Sequence, residues 1–399
     1  MLQSFALALL LFLVACSQNK SSETVFDRTR VSCSGGFVEG KFVVEYENGT
    51  IETIAANSEE ELIEDFIEPN LERIKLVERD SIISIQQFKT SSKLANNWHL
   101  DAINLGLART LNLDGSGVTV AVMDSGIDHF HRSLDGKIAI NIGEIPNNFI
   151  DDDNNGYVDD YWGFDFVFDT GDFTDRNGHG THVSGIIAGD SSRSLIGGPV
   201  IGVAPGVKIL PVKFMSASGG GSISDLIEAL DYVSTMKPDI VNASWGGSGC
   251  SQIVNNKIFE LGQQDILFIT ASGNEGTNVD TQPVYPGVLG YGHMINVAAS
   301  DSISKLAVFS NFGISVDIAA PGVSIYSSLP FDNSDSWDGT SMAAPIVVAA
   351  AALLKQAKPS ASASEIKKAL LESSDFSSVY TSTGGVLNIS RAIENIKAN

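Results

Sequence analysis

Val118-Thr119-Val120-Ala121-Val122-Met123-Asp124-Ser125-Gly126 decides how the rest of the chain is read. The run is apolar at nearly every position and closes on a carboxylate and a glycine. A strand patterned in this way is covered on both faces, as in a parallel sheet. Strands of the same kind are predicted over 207–212, 240–242 and 266–269. Between and after them, amphipathic or Ala-rich stretches predict helices over 182–188, 224–236, 253–262 and 341–355, with a late surface helix over 363–372. Strand and helix alternating in this order predict a doubly wound, mostly parallel α/β sheet with helices on both faces from residue 98 to 399.

Before residue 98 the pattern is different. Lys41-Phe42-Val43-Val44-Glu45-Tyr46 reads as a strand closed by the turn pair Asn48-Gly49, with a second strand over 51–54. Ser58 followed by Glu59, Glu60 and Glu61 is a helix start, and Pro69 is expected to end that helix. Two further strands are predicted over 73–77 and 81–88, which makes 37–88 a small α+β unit. The polar stretch 89–97 is read as a linker and cleavage region, so the unit and its linker span 37–97.

The first residues decide the compartment. Phe5 to Ala15 is an unbroken apolar run of eleven residues, too short to span a bilayer but suited to a signal-peptide core over 1–15. It stops at Leu13-Val14-Ala15-Cys16, which resembles a bacterial lipobox and marks Cys16 for lipid attachment, with 16–36 as a Ser-rich tether. Export is expected, to the cell envelope on a lipid anchor or to the medium after maturation. The 399 residues carry 48 Asp+Glu against 25 Lys+Arg, a net charge of -23 that repels nucleic acid. Of the three cysteines, Cys33 and Cys250 remain as a candidate disulfide in an oxidising compartment. No Cys/His spacing suits zinc or an iron–sulfur cluster, no organic cofactor is implied, and a monomer is expected.

A serine hydroxyl is a poor nucleophile unless an imidazole takes its proton and a carboxylate fixes that imidazole's tautomer. Asp124 ends the quoted strand, where catalytic groups of α/β sheets collect. His179 sits in Asn177-Gly178-His179-Gly180-Thr181-His182, flanked by glycines before a helix begins. Ser341 sits in Asp338-Gly339-Thr340-Ser341-Met342-Ala343-Ala344-Pro345 and opens an Ala-rich helix whose amino end favours developing negative charge.

These three segments, in this order, resemble the Asp, His and Ser motifs of the subtilisin-like serine proteases. Ala271-Ser272-Gly273-Asn274-Glu275-Gly276 resembles the same family's oxyanion-hole segment. The likeness spans roughly 98–397 and implies a serine endopeptidase acting on polypeptides, with Asp124, His179 and Ser341 as triad. It assigns Asn274 and the Ser341 amide to the oxyanion, and a packing or hydrogen-bonding role to His182. It further implies that Ser244, Trp245, Gly246, Ala271, Ser272 and Gly273 wall the pocket before the scissile bond, and that Gly219, Gly220 and Gly221 pair with extended substrate. Trp245 is larger than the aliphatic residue often found there and is expected to narrow or re-aim the pocket. Ala349 stands where the family usually has glycine. The 37–88 unit occupies the place of the family's inhibitory propeptide. A processing or transpeptidation enzyme on the same fold stays open as an alternative, as does a silent calcium-binding surface lipoprotein.

Asp151-Asp152-Asp153-Asn154-Asn155-Gly156-Tyr157-Val158-Asp159-Asp160 places oxygen ligands at alternate positions with a glycine sixth, as in an EF-hand loop, but Trp162 holds the twelfth place instead of glutamate. A structural calcium is expected on Asp151, Asp153, Asn155, the Tyr157 carbonyl and Asp159 or Asp160.

Overall fold

The structure, a computed structural model, describes residues 36–85, the backbone of 88–90, and residues 97–193 and 198–398. The predicted signal peptide, Cys16, Cys33 and most of the expected linker lie outside the described residues.

The amino-terminal unit has strands β1 (Phe37–Tyr46), β2 (Ile51–Ala55) and β3 (Ile74–Ser84), paired antiparallel in the order β2-β1-β3. Helical turns from Glu59 to Asn70 cross the sheet and bury Leu62 and Ile67 against Phe42, Val44, Ile74 and Val77. Two expectations are corrected here. Pro69 lies within the last helical turn, Glu68–Asn70, and the chain leaves the helix just after it. The two strands expected over 73–77 and 81–88 are one continuous strand. Its polar residues Glu78 and Asp80, between the two expected stretches, are buried against the next domain rather than turned into a loop.

The short strand β4 (Phe88–Thr90) leads to the large domain. Its strands are β5 (Thr119–Asp124), β6 (Phe164–Asp165), β7 (Lys208–Lys213), β8 (Gly220–Ser222), β9 (Ile240–Ala243), β10 (Leu267–Ala271), β11 (Met294–Ser300), β12 (Ile318–Pro321), β13 (Ile325–Leu329), β14 (Asn333–Asp338), β15 (Asp375–Phe376) and β16 (Gly385–Val386). Nine of them form one sheet in the order β15-β16-β12-β11-β10-β9-β5-β7-β6, parallel except at β15.

Alternation along each strand shows why so many positions are apolar. Val120 and Val122 of β5 join one core with Ile209, Ile240, Leu267 and Ile269, whereas Ala121 and Met123 join the other with Leu210, Val241 and Phe268. On the first face lie helices α1 (His179–Ala188), α4 (Thr340–Ala357), α5 (Ala363–Glu372) and α6 (Ile389–Ala398). On the second lie α2 (Ile223–Met236) and α3 (Gln252–Gln263). This is the doubly wound α/β architecture. Helix α4 is apolar and long enough to suggest a membrane span, but it is the core helix, with every residue from Thr340 to Leu354 buried.

Candidate active site

The carboxyl ends of β5, β9 and β10 and the amino ends of α1 and α4 meet at one edge of the sheet. Asp124 ends β5, and both its oxygens lie within hydrogen-bond distance of His179 Nδ1, at 2.9 and 2.8 Å. Both side chains are fully buried. His179 opens α1 after Gly178, whose φ of 103° suits glycine. Gly180 could carry no side chain, because a Cβ there would stand 2.1 Å from the Gly126 carbonyl and 3.2 Å from Asp124 Cβ. The glycine thus allows helix α1 to press against the strand end and brings imidazole to carboxylate. Among the described residues, His179 Nε2 has no hydrogen-bond partner.

Ser341 stands in the first turn of α4, where main-chain N–H groups have no intrahelical acceptor. Its Oγ donates to the Ser244 carbonyl at 2.9 Å. Asn274 follows β10, and its Oδ1 accepts from the Thr340 amide at 2.8 Å and from Thr340 Oγ1 at 2.9 Å. Those two bonds fix the amide plane with Nδ2 turned away from Thr340, beside Gly339.

Two residues that sequence reasoning passed over organise this edge. Asp175 is buried and accepts from Ser125 Oγ and from the amides of Asn177, Gly178 and Thr181, and also from Thr181 Oγ1. Ser125 Oγ in turn accepts from the Gly180 amide, so this second carboxylate ties the Asp124 strand to the His179 helix. Burial pushes the Asp175 carboxyl up, against the pull of its donors. The signal was faint: Asp175 lies four residues before His179, outside the Asn177–His182 segment. The other residue is Trp337, which stacks on His182 with ring centroids 4.5 Å apart and planes 6° apart. Burial drives His182 down to a pKa of about 3, and its Nε2 meets the Asp335 carbonyl at 3.2 Å.

A cavity of about 670 Å³ opens beside Ser341, lined by Gly246, Ala271, Gly273, Asn274 and Glu275 among others. Trp245 does not fill it. Its indole is 2% exposed, donates Nε1–H to the Met123 carbonyl at 2.9 Å and packs edge-on against Phe214 and Phe268. The bulk expected to narrow the pocket therefore goes into the core, where a main-chain acceptor satisfies the indole. Ser272 Oγ is likewise turned inward, donating to the Asn311 carbonyl at 3.3 Å.

The glycine edge is occupied by the chain's own amino-terminal unit. Strand β3 pairs antiparallel with β8, matching Ile82 with Ser222, Ile83 with Gly221 and Ser84 with Gly220, and Ile85 N donates to the Gly219 carbonyl at 3.0 Å. On its other side Ser84 bridges Gly246. Beyond the site, β4 pairs with β14, placing Phe88 opposite Asp338. Two carboxylates of β3 complete the contact. Glu78 accepts from Ser251 Oγ and the Gln252 amide at the start of α3, and Asp80 accepts from the Ser224 amide and hydroxyl at the start of α2.

In the acidic loop, carboxylate oxygens of Glu144, Asp153 and Asp160 lie within 4.8 Å of one another. Asp160 is fully buried and its carboxyl is pushed up, first by burial and also by the charge of Asp153. Glu144 is 4% exposed, and its Oε2 has no hydrogen-bond partner among the described residues. Asn155 side-chain amide hydrogens point to both aspartates. Asp151 accepts from the Asn155 and Gly156 amides, and Asp159 from the Asn148 and Phe149 amides, so these two shape the loop. The Tyr157 ring packs against Phe164, Phe166 and Tyr232.

Residues 115–392 match the subtilase family. This chain belongs to the subtilase family of serine endopeptidases. It is 33% identical over 274 residues to Subtilisin Savinase of Lederbergia lenta, covering 68% of this chain and 89% of that protein. In eight of the curated relatives it matches, the share of the relative's length spanned runs from 53% to 89%. Among solved structures, a cold adapted subtilisin-like serine proteinase superposes with a TM-score of 0.58 at 30% identity, covering 74% of this subtilase and 97% of that chain. Fervidolysin from Fervidobacterium pennivorans gives a TM-score of 0.72 and covers 90% of this chain and 62% of that one; at 21% identity it speaks for the fold alone.

Proposed function

We propose that this subtilase hydrolyses peptide bonds through an acyl-enzyme on Ser341. The observation that carries the reading is the fully buried pair of His179 Nδ1 and the Asp124 carboxylate, with Nε2 left to take a proton. Ser341 Oγ leaves the Ser244 carbonyl, gives its proton to His179 Nε2 and bonds to the substrate carbonyl carbon. The oxyanion accepts hydrogen bonds from Asn274 Nδ2 and the Ser341 amide. Collapse breaks the C–N bond, and His179 passes the proton to the departing amine. Water, deprotonated by His179, then attacks the ester carbonyl; the Oγ–acyl bond breaks, His179 returns the proton to Ser341 Oγ, and the acid is released. Replacing Ser341 by alanine should abolish hydrolysis of casein and of a peptide anilide while leaving the fold intact; activity surviving in that variant would refute the assignment.

The amino-terminal unit reads as an inhibitory propeptide held in the cleft as substrate. Main-chain pairing of Ile82 to Ser84 with β8, with a further bridge from Ser84 to Gly246, is strand addition, the mode by which an extended peptide would bind. On this reading the cut falls ahead of the expected linker. Ile85 is the last residue paired with the glycine edge and Phe88 the first paired with β14, so on this reading the bond broken is one of the three between them, upstream of the 89–97 linker. Amino-terminal sequencing of the matured enzyme should begin at residue 86, 87 or 88, and a start in the linker would count against this register.

A structural calcium on Glu144, Asp153 and Asp160 fits a hard, all-oxygen donor set with one buried oxygen otherwise unpaired. Bound there, the ion would supply charge neutralisation and would take no part in the reaction. Export and lipid attachment at Cys16 complete the reading; labelled palmitate incorporation lost in Cys16→Ser tests it.

A further inference from the structure

We propose that Cys250 forms a disulfide with Cys33, so that cutting the chain at the active site yields two polypeptides still joined to each other. The inference rests on the self-processing reading above. Cys250 is disulfide-bonded, and the chain has only two other cysteines, Cys16 and Cys33, both ahead of residue 36. Whichever is the partner, the bond ties the catalytic domain to the segment that precedes β1.

The described residues point to Cys33. Strand β1 begins beside β3, with Phe37 opposite Ser81 and the Gly36 carbonyl accepting from the Ile82 amide at 2.8 Å. Strand β3 passes the Cys250 loop at the same place, where a Cβ on Gly249 would stand 3.4 Å from Ser81 Cβ. The start of β1, residues 81 and 82, and the 249–250 corner are thus neighbours. Cys33 stands three positions before Gly36, a reach of about 10 Å, and a disulfide needs Cα atoms only about 4.4–6.8 Å apart. Cys16 lies twenty residues from Gly36, and as the lipobox cysteine its sulfur is the one assigned to a thioether.

The consequence concerns the product. Hydrolysis between Ile85 and Phe88 adds the hydroxyl of water to the carbonyl carbon and its proton to the leaving amine; the sulfur–sulfur bond takes no part. The new carboxylate end stays on a unit held by β3–β8 pairing, by the Glu78 and Asp80 contacts, and by a covalent strap a few residues long. A short strap keeps its two ends at an effective concentration of roughly millimolar, so a released inhibitor cannot be diluted away. The matured enzyme is then a two-chain, self-occupied form. It opens when a dithiol or phosphine reduces the strap, or when a second proteolytic cut removes the unit.

The test uses the full chain secreted into an oxidising compartment, as wild type, as Ser341→Ala and as Cys33→Ser. Non-reducing peptide mapping of the uncut Ser341→Ala protein should yield a Cys33–Cys250 linked peptide. The cut wild type should run as one species without reductant and as two with it. Brief reduction should raise its initial rate roughly tenfold or more, and Cys33→Ser should start at the high rate. A free Cys250 thiol, a Cys16–Cys250 link, or fragments that separate without reductant would each overturn the proposal. A wild type that is never cut, yet carries the mapped Cys33–Cys250 pair, would keep the strap and refute the self-processing reading on which the two-chain product depends.

Discussion

Ser341 and Ser244 exchange hydrogen bonds: Ser341 Oγ donates to the Ser244 carbonyl at 2.9 Å, and Ser244 Oγ donates to the Ser341 carbonyl at 3.0 Å. Pro345 explains the second bond. It stands four residues after Ser341 inside α4 and has no N–H, so the Ser341 carbonyl lacks its helical donor and the Ser244 hydroxyl replaces it. Ser244→Ala leaves that buried carbonyl unpaired and should destabilise the enzyme by about 1–3 kcal/mol. Since the acceptor of Ser341 Oγ is main chain, turnover should change far less than stability. Thermal unfolding measured beside kcat/KM checks both halves.

Asn274 is held by Thr340 through its oxygen, and the proposed mechanism gives its Nδ2 the role of donor to the oxyanion. Asn274→Ala should lower kcat by about 10²–10³-fold, the range established for such a donor in a subtilisin, with little change in KM. Equal losses in binding and turnover would mean that Asn274 only shapes the cleft.

Acid should unfold this enzyme through two buried histidines. Burial lowers His99 from 6.5 to about 4 and His182 from 6.5 to about 3. The folded protein therefore binds fewer protons than the unfolded chain below pH 6.5. The stability these groups contribute is complete above that pH and is lost as pH falls toward 4 and then 3, by up to about 1.4 kcal/mol per pH unit for each. A melting-temperature series from pH 7 to pH 4 should show the decline, and a folded His99→Gln variant should show a shallower one. An unchanged slope would remove His99 from the account.

Calcium should stabilise without taking part in the chemistry. Chelator should lower the melting temperature by several degrees, since a ligand at a hundred times its Kd contributes about 2.7 kcal/mol. Glu144→Gln should lower it by a similar amount and abolish the response to chelator. Persistence of that response in both Glu144→Gln and Asp160→Asn would place the ion elsewhere.

How much of this was legible in the sequence follows from what each feature depends on. Strands β5, β7, β9 and β10 announce themselves because both faces of the sheet are covered, so nearly every residue is apolar. Strands β11 and β12 escaped: Met294–Ser300 mixes alanines with Asn296, and Ile318–Pro321 is only four residues long. Their burial comes from neighbours, which no local pattern carries. The residues proposed as catalytic stand in contiguous motifs, which is why the sequence singles them out. Asp175 and Trp337 act across folded contacts and were not. Glu144 is a comparable case, since it reaches Asp153 and Asp160 from a separate turn, whereas Asp151 and Asp159, which fit the loop spacing, hold loop amides instead. Trp245 shows the limit most directly: side-chain size was readable, but the direction of the ring was set by the Met123 carbonyl and by Phe214 and Phe268.

The most direct measurement is the initial rate of casein and peptide-anilide hydrolysis by the matured enzyme, with its amino-terminal unit removed and calcium present, beside Ser341→Ala treated identically. Rapid hydrolysis by the first and a loss of at least roughly 10⁴-fold in the second is the predicted result. Equal rates in the two, or none in either after the unit has demonstrably left the cleft, would contradict the Ser341 acyl-enzyme.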